Sequence, residues 1–400
     1  MNESESYRVP AVDTLSLRIM SLACLVVFMT QMATTIYLPS LPVVMRELGM
    51  TQSATELSIS IFVVGAAVPV IFWGAAADRY GRRISLTLSL VLFIGTSLLL
   101  AWCRDANLLL VLRALQGIGA GGAAIIGRIL VKDNWSGAEL AKRLSVLSVA
   151  FITALGGGQF IGGLISYYLH WQVAFLVLAA TGFVALLFSL TVPMAYAEPA
   201  RISKGMAHAY LTILRRPGFF WPACVGGLGF ATTVTLQEVS PFVMQQSFGL
   251  EVTSFGLFGL LIGISYLAGA LTVNRIVHAT GVVTLMRRGS LMVAISALAL
   301  LVLWWAGLLS HTSGLVIFIL LYCLIIFGQA VMFPSSMSAA VNDGKDFGAY
   351  AMALCGFLQQ GMAGIASSFA VLLEHHGTWT LAILLTGLAS FLIARFKVHA

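Results

Sequence analysis

The sequence predicts an all-α polytopic membrane protein with twelve transmembrane helices in two bundles of six. Three observations carry that expectation. Of the 400 residues, 59% are hydrophobic and only 9% are charged, a balance that a soluble globular chain does not show. Twelve apolar stretches are each long enough, at roughly 20 residues, to cross about 30 Å of hydrocarbon. With the amino terminus inside, the basic residues gather on one side. Of the 22 Lys and Arg, only Arg46 and Arg104 fall outside, Arg113 and Arg128 lie within the fourth span, and the rest are cytoplasmic.

The expected spans are 17–38, 57–77, 84–103, 107–131, 143–169 and 172–193, then 218–243, 254–276, 284–308, 313–333, 348–373 and 377–396. The first follows a leader containing Glu3, Glu5 and Asp13 and ends in TTIYLPSLP. It lacks a small-residue cleavage site and reads as a retained helix, not a signal peptide. The sixth ends near Pro193, and the polar connection AYAEPARISKGMAHAYLTILRRPG follows. It divides the chain into 1–193, a cytoplasmic linker 194–217, and 218–400. Two six-helix repeats about an axis along the membrane normal are a transporter layout. The expected setting is a bacterial inner membrane, with both termini cytoplasmic and the protein monomeric. The net charge of +7 reports topology, not nucleic-acid binding.

Enzyme chemistry has no foothold. The five cysteines (Cys24, Cys103, Cys224, Cys323 and Cys355) form no CxxC pair. There is no HExxH, GxSxG or phosphate-binding loop, and no histidine lies mid-helix. No cofactor and no metal are expected; the partners are a small-molecule substrate, protons and the bilayer.

Charge concentrates in GAAADRYGRR, residues 74–83, between the second and third spans. Gly81 permits a tight turn, and Gly74 is expected to admit a neighbouring helix closely. Asp78 can face a helix N-terminus, a contact favoured by about 0.3–1 kcal/mol. Arg79, Arg82 and Arg83 also serve as cytoplasmic anchors. A degenerate echo lies between the eighth and ninth spans: Gly269, Asn274, Arg275, Gly281, Arg287 and Arg288. In the fourth span, LRALQGIGAGGAA places Arg113 inside an apolar helix, where a centred arginine costs about 2.5–3.5 kcal/mol. Either it snorkels to the outer surface or it has a function. Gly117, Gly119, Gly121 and Gly122 form a face for close helix packing.

The 74–83 stretch resembles the signature loop of the major facilitator superfamily at every defining position, and R-x-x-Q-G-x-G-A resembles the family's helix 4 motif. TTIYLPSLPVVMRELG, GRILVKD, HWQVAFLVL and SPFVMQQSFG are similar to the bicyclomycin-resistance type of drug:proton antiporter. The resemblance implies a secondary-active exporter that moves small amphiphilic compounds by proton antiport and alternating access. Gly74, Asp78, Arg79, Gly81, Arg82 and Arg83 would latch the cytoplasmic side, with Asp78 near Phe347 to Tyr350. Arg113 would take part in proton coupling. Two departures stand out. Thr35 occupies the position of a typical helix 1 aspartate, and GQFIGG puts Gln159 where antiporters carry proline. A dedicated exporter of an endogenous metabolite, such as a siderophore or amino-acid derivative, is the alternative.

Few carboxylates remain to carry a proton. Glu238, in TLQEVSP, is the leading candidate, the alternative being an interfacial glutamate; Asp78 is another. Glu56 is expected to face water or cap its helix. Gln31, Thr34 and Thr35 share one helix face and line either a substrate cavity or an interhelical contact. Gln116, Gln159, Gln237, Tyr266, Gln329 and Gln359 are further cavity candidates, with Phe62, Phe242 and Met244 as apolar contacts.

Overall fold

The computed structural model describes residues 14–135, 137–194, 206–309, 312–344, 349–372 and 377–398. The chain runs through α1 (Thr14–Thr35), a 3-10 turn (Leu38–Ser40), α2 (Leu41–Glu47), α3 (Gln52–Ala67) and α4 (Val70–Tyr80). Next come α5 (Arg82–Ala101), α6 (Ala106–Asn134), α7 (Gly137–Tyr168), α8 (Gln172–Thr191) and α9 (Met206–Leu214). The second part holds α10 (Pro217–Phe242), a π turn (Val243–Ser247), α11 (Val252–Thr280) and α12 (Val282–Trp305), then α13 (Thr312–Asp343), α14 (Ala349–Leu372) and α15 (Thr378–Phe396). No strand occurs among the described residues.

Eleven of the expected spans are long and apolar enough to cross a membrane on length and composition alone. The remaining expected span, 348–373, is α14, which carries the consecutive Gln359 and Gln360 at its middle. It packs against α3 and α10 all the same. Phe72, Ile264 and Phe369 are among many large apolar side chains left exposed on the helices, a surface suited to lipid.

Three boundaries differ from the sequence reading. The second span is two helices: Pro69 interrupts it, because a proline offers no N–H to the ladder, so α3 stops at Ala67 and α4 opens at Val70. Moreover α3 begins at Gln52, capped by the Thr51 hydroxyl, which accepts the Ala54 N–H at 3.1 Å. Glu56 therefore lies inside the helix, 4% exposed, and not at a wet rim. Finally, α13 continues through Pro334 to Asp343, forgoing one backbone bond to keep a helix packed on α10 and α12. Part of the linker is α9; residues 195–205 lie outside those described.

The helix pairings recur. In the first part α1 packs on α6, α7 and α8, α3 on α6, and α5 on α6 and α8. In the second α10 packs on α13, α14 and α15, α11 on α13, and α12 on α13 and α15. The two groups meet along α7–α11 and α3–α14, themselves an equivalent pair of contacts. The echo in the sequence has a geometric counterpart. Gly81 (φ 93°) and Gly281 (φ 77°) make the equivalent tight turns at what we term the loop end. Arg83 then donates to the carbonyls of Leu190 (3.3 Å) and Val192 (2.9 Å) at the end of α8. Arg287 likewise donates to Ala394 (3.0 Å) and Val398 (2.6 Å) at the end of α15.

The glycines of α6 divide between two partners. A Cβ on Gly117 or Gly121 would overlap the Phe62 or Ala66 carbonyl of α3, and one on Gly119 would lie 2.7 Å from the Phe93 nitrogen of α5. Gly74 is different: among the described residues a Cβ there meets nothing within 4 Å, so none of them makes the expected close approach. Gly121→Ala is expected to destabilise the purified protein by about 1–3 kcal/mol through overpacking. Gly74→Ala is expected to leave the thermal midpoint unchanged or raised, by up to about 1 kcal/mol from helix propensity. Thermal unfolding in detergent distinguishes the two.

Candidate functional site

Two buried ionisable groups lie on either side of α3. From α6, Arg113 is fully enclosed and does not snorkel. Its Nε donates to the Ser58 carbonyl at 3.2 Å, and its Nη1 to the Ala33 carbonyl at 3.3 Å and to Gln116 Oε1 at 2.7 Å. Gln116 in turn donates to Ser97 Oγ at 2.8 Å. The guanidinium sits 4.3 Å from the centre of the Phe62 ring and 5.3 Å from that of Tyr37, contacts worth about 0.5–2 kcal/mol each when desolvated. Carbonyls and π-faces thus replace water around a charge that has no carboxylate partner.

On the other side, α10 presents Glu238, also fully enclosed. Ser60 of α3 donates to its Oε1 at 2.5 Å, and Ser367 of α14 donates to Ser60 at 3.1 Å. Glu238 Oε2 has no hydrogen-bond partner. Glu238 is therefore not an interfacial glutamate: it is held at the junction of three helices, two from the second group and one from the first. One turn along α3, Glu56 accepts from Gln52 at 2.7 Å.

The remaining contacts cluster at the same depth. Gln159 of α7 donates to the Phe255 carbonyl of α11 at 2.9 Å. Gly163 and Gly156 pack on Gly256 and Gly259 beside it. At the distal end, opposite the Gly81 turn, Gln245 donates to the Pro39 carbonyl at 3.0 Å. Among the described residues, four hydrogen bonds join the two helix groups. All four lie within about ten residues of the distal helix ends, or roughly 15 Å of depth.

Several cavity candidates are occupied with packing. Thr35 donates to the Ala154 carbonyl of α7 at 3.0 Å, which supports the interhelical alternative for that residue, whereas Thr34 donates within α1 to the Gln31 carbonyl at 2.6 Å. Tyr266 stacks on Phe151 at 5.9 Å. Phe62, Phe242 and Met244 are core residues, and Gln237 is buried beside Glu238. Gln359 donates to Ser336 at 3.1 Å, yet its Oε1 and that of the buried Gln329 lack partners. At the loop end, Arg82 pairs with Asp133 of GRILVKD at 3.0 Å, while Arg79 is exposed. These arginine contacts, with those of Arg83, tie the loop to its own helix group. The Asp78 side chain lies outside the described residues, as does most of its expected partner stretch, Phe347 to Tyr350. No group of three metal-ligating side chains occurs among the described residues.

Ser60 and Ser367 were missed in the sequence, because a serine in an apolar helix has no pattern of its own. The spacing Gln52, Glu56, Ser60 was nevertheless there to be read.

The family model described as Major Facilitator Superfamily matches residues 23–368. The chain belongs to that superfamily. It is a multi-pass membrane transporter of small molecules and not an enzyme. Multidrug resistance protein D of Escherichia coli (strain K12) is 24% identical over 365 residues, 90% of each chain. The bicyclomycin resistance protein homolog of Haemophilus influenzae is 24% identical over 258 residues, 63% of this chain and 64% of that one. A D-xylose–proton symporter shares the fold with a TM-score of 0.77 at 16% identity, covering 96% of this chain and 98% of the other. A POT family transporter in complex with 5-aminolevulinic acid gives 0.78 at 16% identity over 94% of each.

Replacing Arg113 by leucine leaves buried carbonyls and Gln116 without a donor. It is expected to destabilise this transporter by about 2–4 kcal/mol. Arg113→Lys should not restore it, since one ammonium cannot reproduce the planar fork. Thermal midpoints in detergent test both.

Proposed function

We propose that the protein is a proton-coupled exporter of small amphiphilic drugs. It would act as a monomer in a bacterial inner membrane, the halves 1–193 and 218–400 rocking about a central site. The observation that carries this reading is the Glu238 carboxyl, enclosed where the two halves meet and hydrogen-bonded across the junction by Ser60. An ionised carboxylate shut away from water and from any cation is strongly disfavoured. Carrying a proton removes that penalty and lets the halves close on it. Losing the proton favours parting them, so proton occupancy selects which side of the carrier is open. The relatives named for multidrug and bicyclomycin resistance support drug export.

With the loop end cytoplasmic, as the arginine distribution favours, the form described is closed toward the outside. The α7–α11 glycine contacts and the Gln159 bond close it there. Asp78 would then take part in a cytoplasmic latch, and Arg113 would hold α3 at its fixed distance from α6. Substrate would meet the carbonyl oxygens of Gln329 and Gln359 and the Gln31 face. A dedicated metabolite exporter is the second reading. It is favoured by the absence of an acid on α1, where Thr35 is committed to α7.

The test is quenching of a ΔpH dye in everted vesicles given ethidium, bicyclomycin or a panel of siderophores. The wild type is expected to release protons on addition of drug, whereas Glu238→Gln should lose that release and keep substrate counterflow. Release by Glu238→Gln at the wild-type level would contradict the proposal. A response confined to one siderophore would favour the second reading.

A further inference from the structure

The proposed proton site lies about 15 Å below the distal surface in a form whose halves are closed there. A proton from that side needs a route, and one face of α3 supplies the polar groups for it. Gln52, Glu56 and Ser60 recur every four residues, so they stack along one stripe with about 5–6 Å between successive Cβ atoms. Gln52 is exposed at the distal end, Glu56 is buried, and Ser60 is fully buried. The amide of Gln52 grips Glu56 at 2.7 Å, and the hydroxyl of Ser60 grips Glu238 at 2.5 Å. Ser60, one turn along α3 from Glu56, thus brings the Glu238 carboxyl to the inner end of the stripe.

From this arrangement we infer that Glu56 is the distal-side proton donor to Glu238, with Ser60 as the bridge between them. The inference rests on the reading of Glu238 as the coupling carboxyl. A hydroxyl oxygen accepts two hydrogen bonds while donating one. Ser60 accepts one from Ser367 and gives its own to Glu238, which leaves a lone pair for the Glu56 carboxyl. The transfer balances within the chain. Protonated Glu56 passes its proton to Ser60 Oγ, Ser60 passes its own to Glu238 Oε1, and Glu56 is left as the carboxylate. Water at Gln52 then reloads it. Ser367 fixes the Ser60 hydroxyl in its donating orientation and is a positioning residue.

The neighbouring elements bring no competing acid or base into the stripe. From α6, Arg113 meets the opposite side of α3 at Ser58. From α10 comes Glu238 itself, and α14 contributes Ser367 and no charged residue. On α2, Arg46 is exposed, and Glu47 accepts the Trp171 indole N–H at 2.6 Å. Isolation of this kind suits a relay with a single destination.

The experiment follows deuteration of buried carboxyl groups by infrared difference spectroscopy, on full-length protein in lipid after transfer to D2O. It needs no substrate. Wild type is expected to show a protonated-carboxyl band that vanishes in Glu238→Gln. In Glu56→Gln and in Ser60→Ala the Glu238 band should persist but deuterate roughly 10²-fold more slowly or worse, with amide bands unchanged. Deuteration at the wild-type rate in both variants would overturn the relay and leave Glu238 in place. Failure of any band to depend on Glu238 would overturn the underlying reading instead.

Discussion

Two ionisable groups are hidden in the apolar interior on opposite sides of one short helix, and the rest of the molecule is arranged to tolerate them. A charge at that depth must be satisfied by protein, because neither lipid nor water is at hand. Arg113 is held by carbonyls of α1 and α3, by Gln116 and by two aromatic faces, with Nη2 left without a hydrogen-bond partner. Such a cage requires α3 and α6 to lie almost backbone to backbone. The glycines Gly65, Gly117 and Gly121 make that approach possible. The close packing of α3 on α6 thus goes together with the arginine between them.

Glu238 sets the opposite demand. Its hydrogen-bond donor is on α3, while its own helix and Ser367 belong to the second group. A permanent contact would be better built from apolar side chains of the same volume, since buried polar pairs seldom add net stability. A contact meant to open and close has reason to be polar and titratable. The neighbouring α7–α11 seam is consistent with this. It brings glycines of both helices together and adds the Gln159 amide, with the Phe151–Tyr266 ring contact beside them. Gln159 stands where the resemblance to antiporters implied a proline. It adds a side-chain bond across the seam that proline could not make.

Much of this was legible in the sequence. Hydropathy places the helices, and the glycines around Arg113 announce a close packing face. Gly81 and Gly281 mark the paired turns. What the sequence concealed has physical causes. Glu56 and its flanking polar residues look like a wet loop, and only the packing of neighbouring helices against α3 buries Glu56. Pro69 breaks a helix whereas Pro334 rides within one, because tertiary contacts decide whether the lost backbone bond is tolerated. Thr35 reads as a cavity residue by helical spacing, yet the carbonyl of Ala154 claims it. Gly74 fits the family's loop pattern, but among the described residues none approaches it closely.

In the proposed cycle, protonation of Glu238 holds the distal ends together. Spin labels at Ser53 on α3 and Ser247 after α10, in a chain freed of its five native cysteines, would report that separation by pulsed electron resonance across pH. The expected result is a short distance at low pH that lengthens as pH rises in the parent protein and stays short in Glu238→Gln. A distance that ignores pH in the parent, or one that titrates identically in Glu238→Gln, would contradict it.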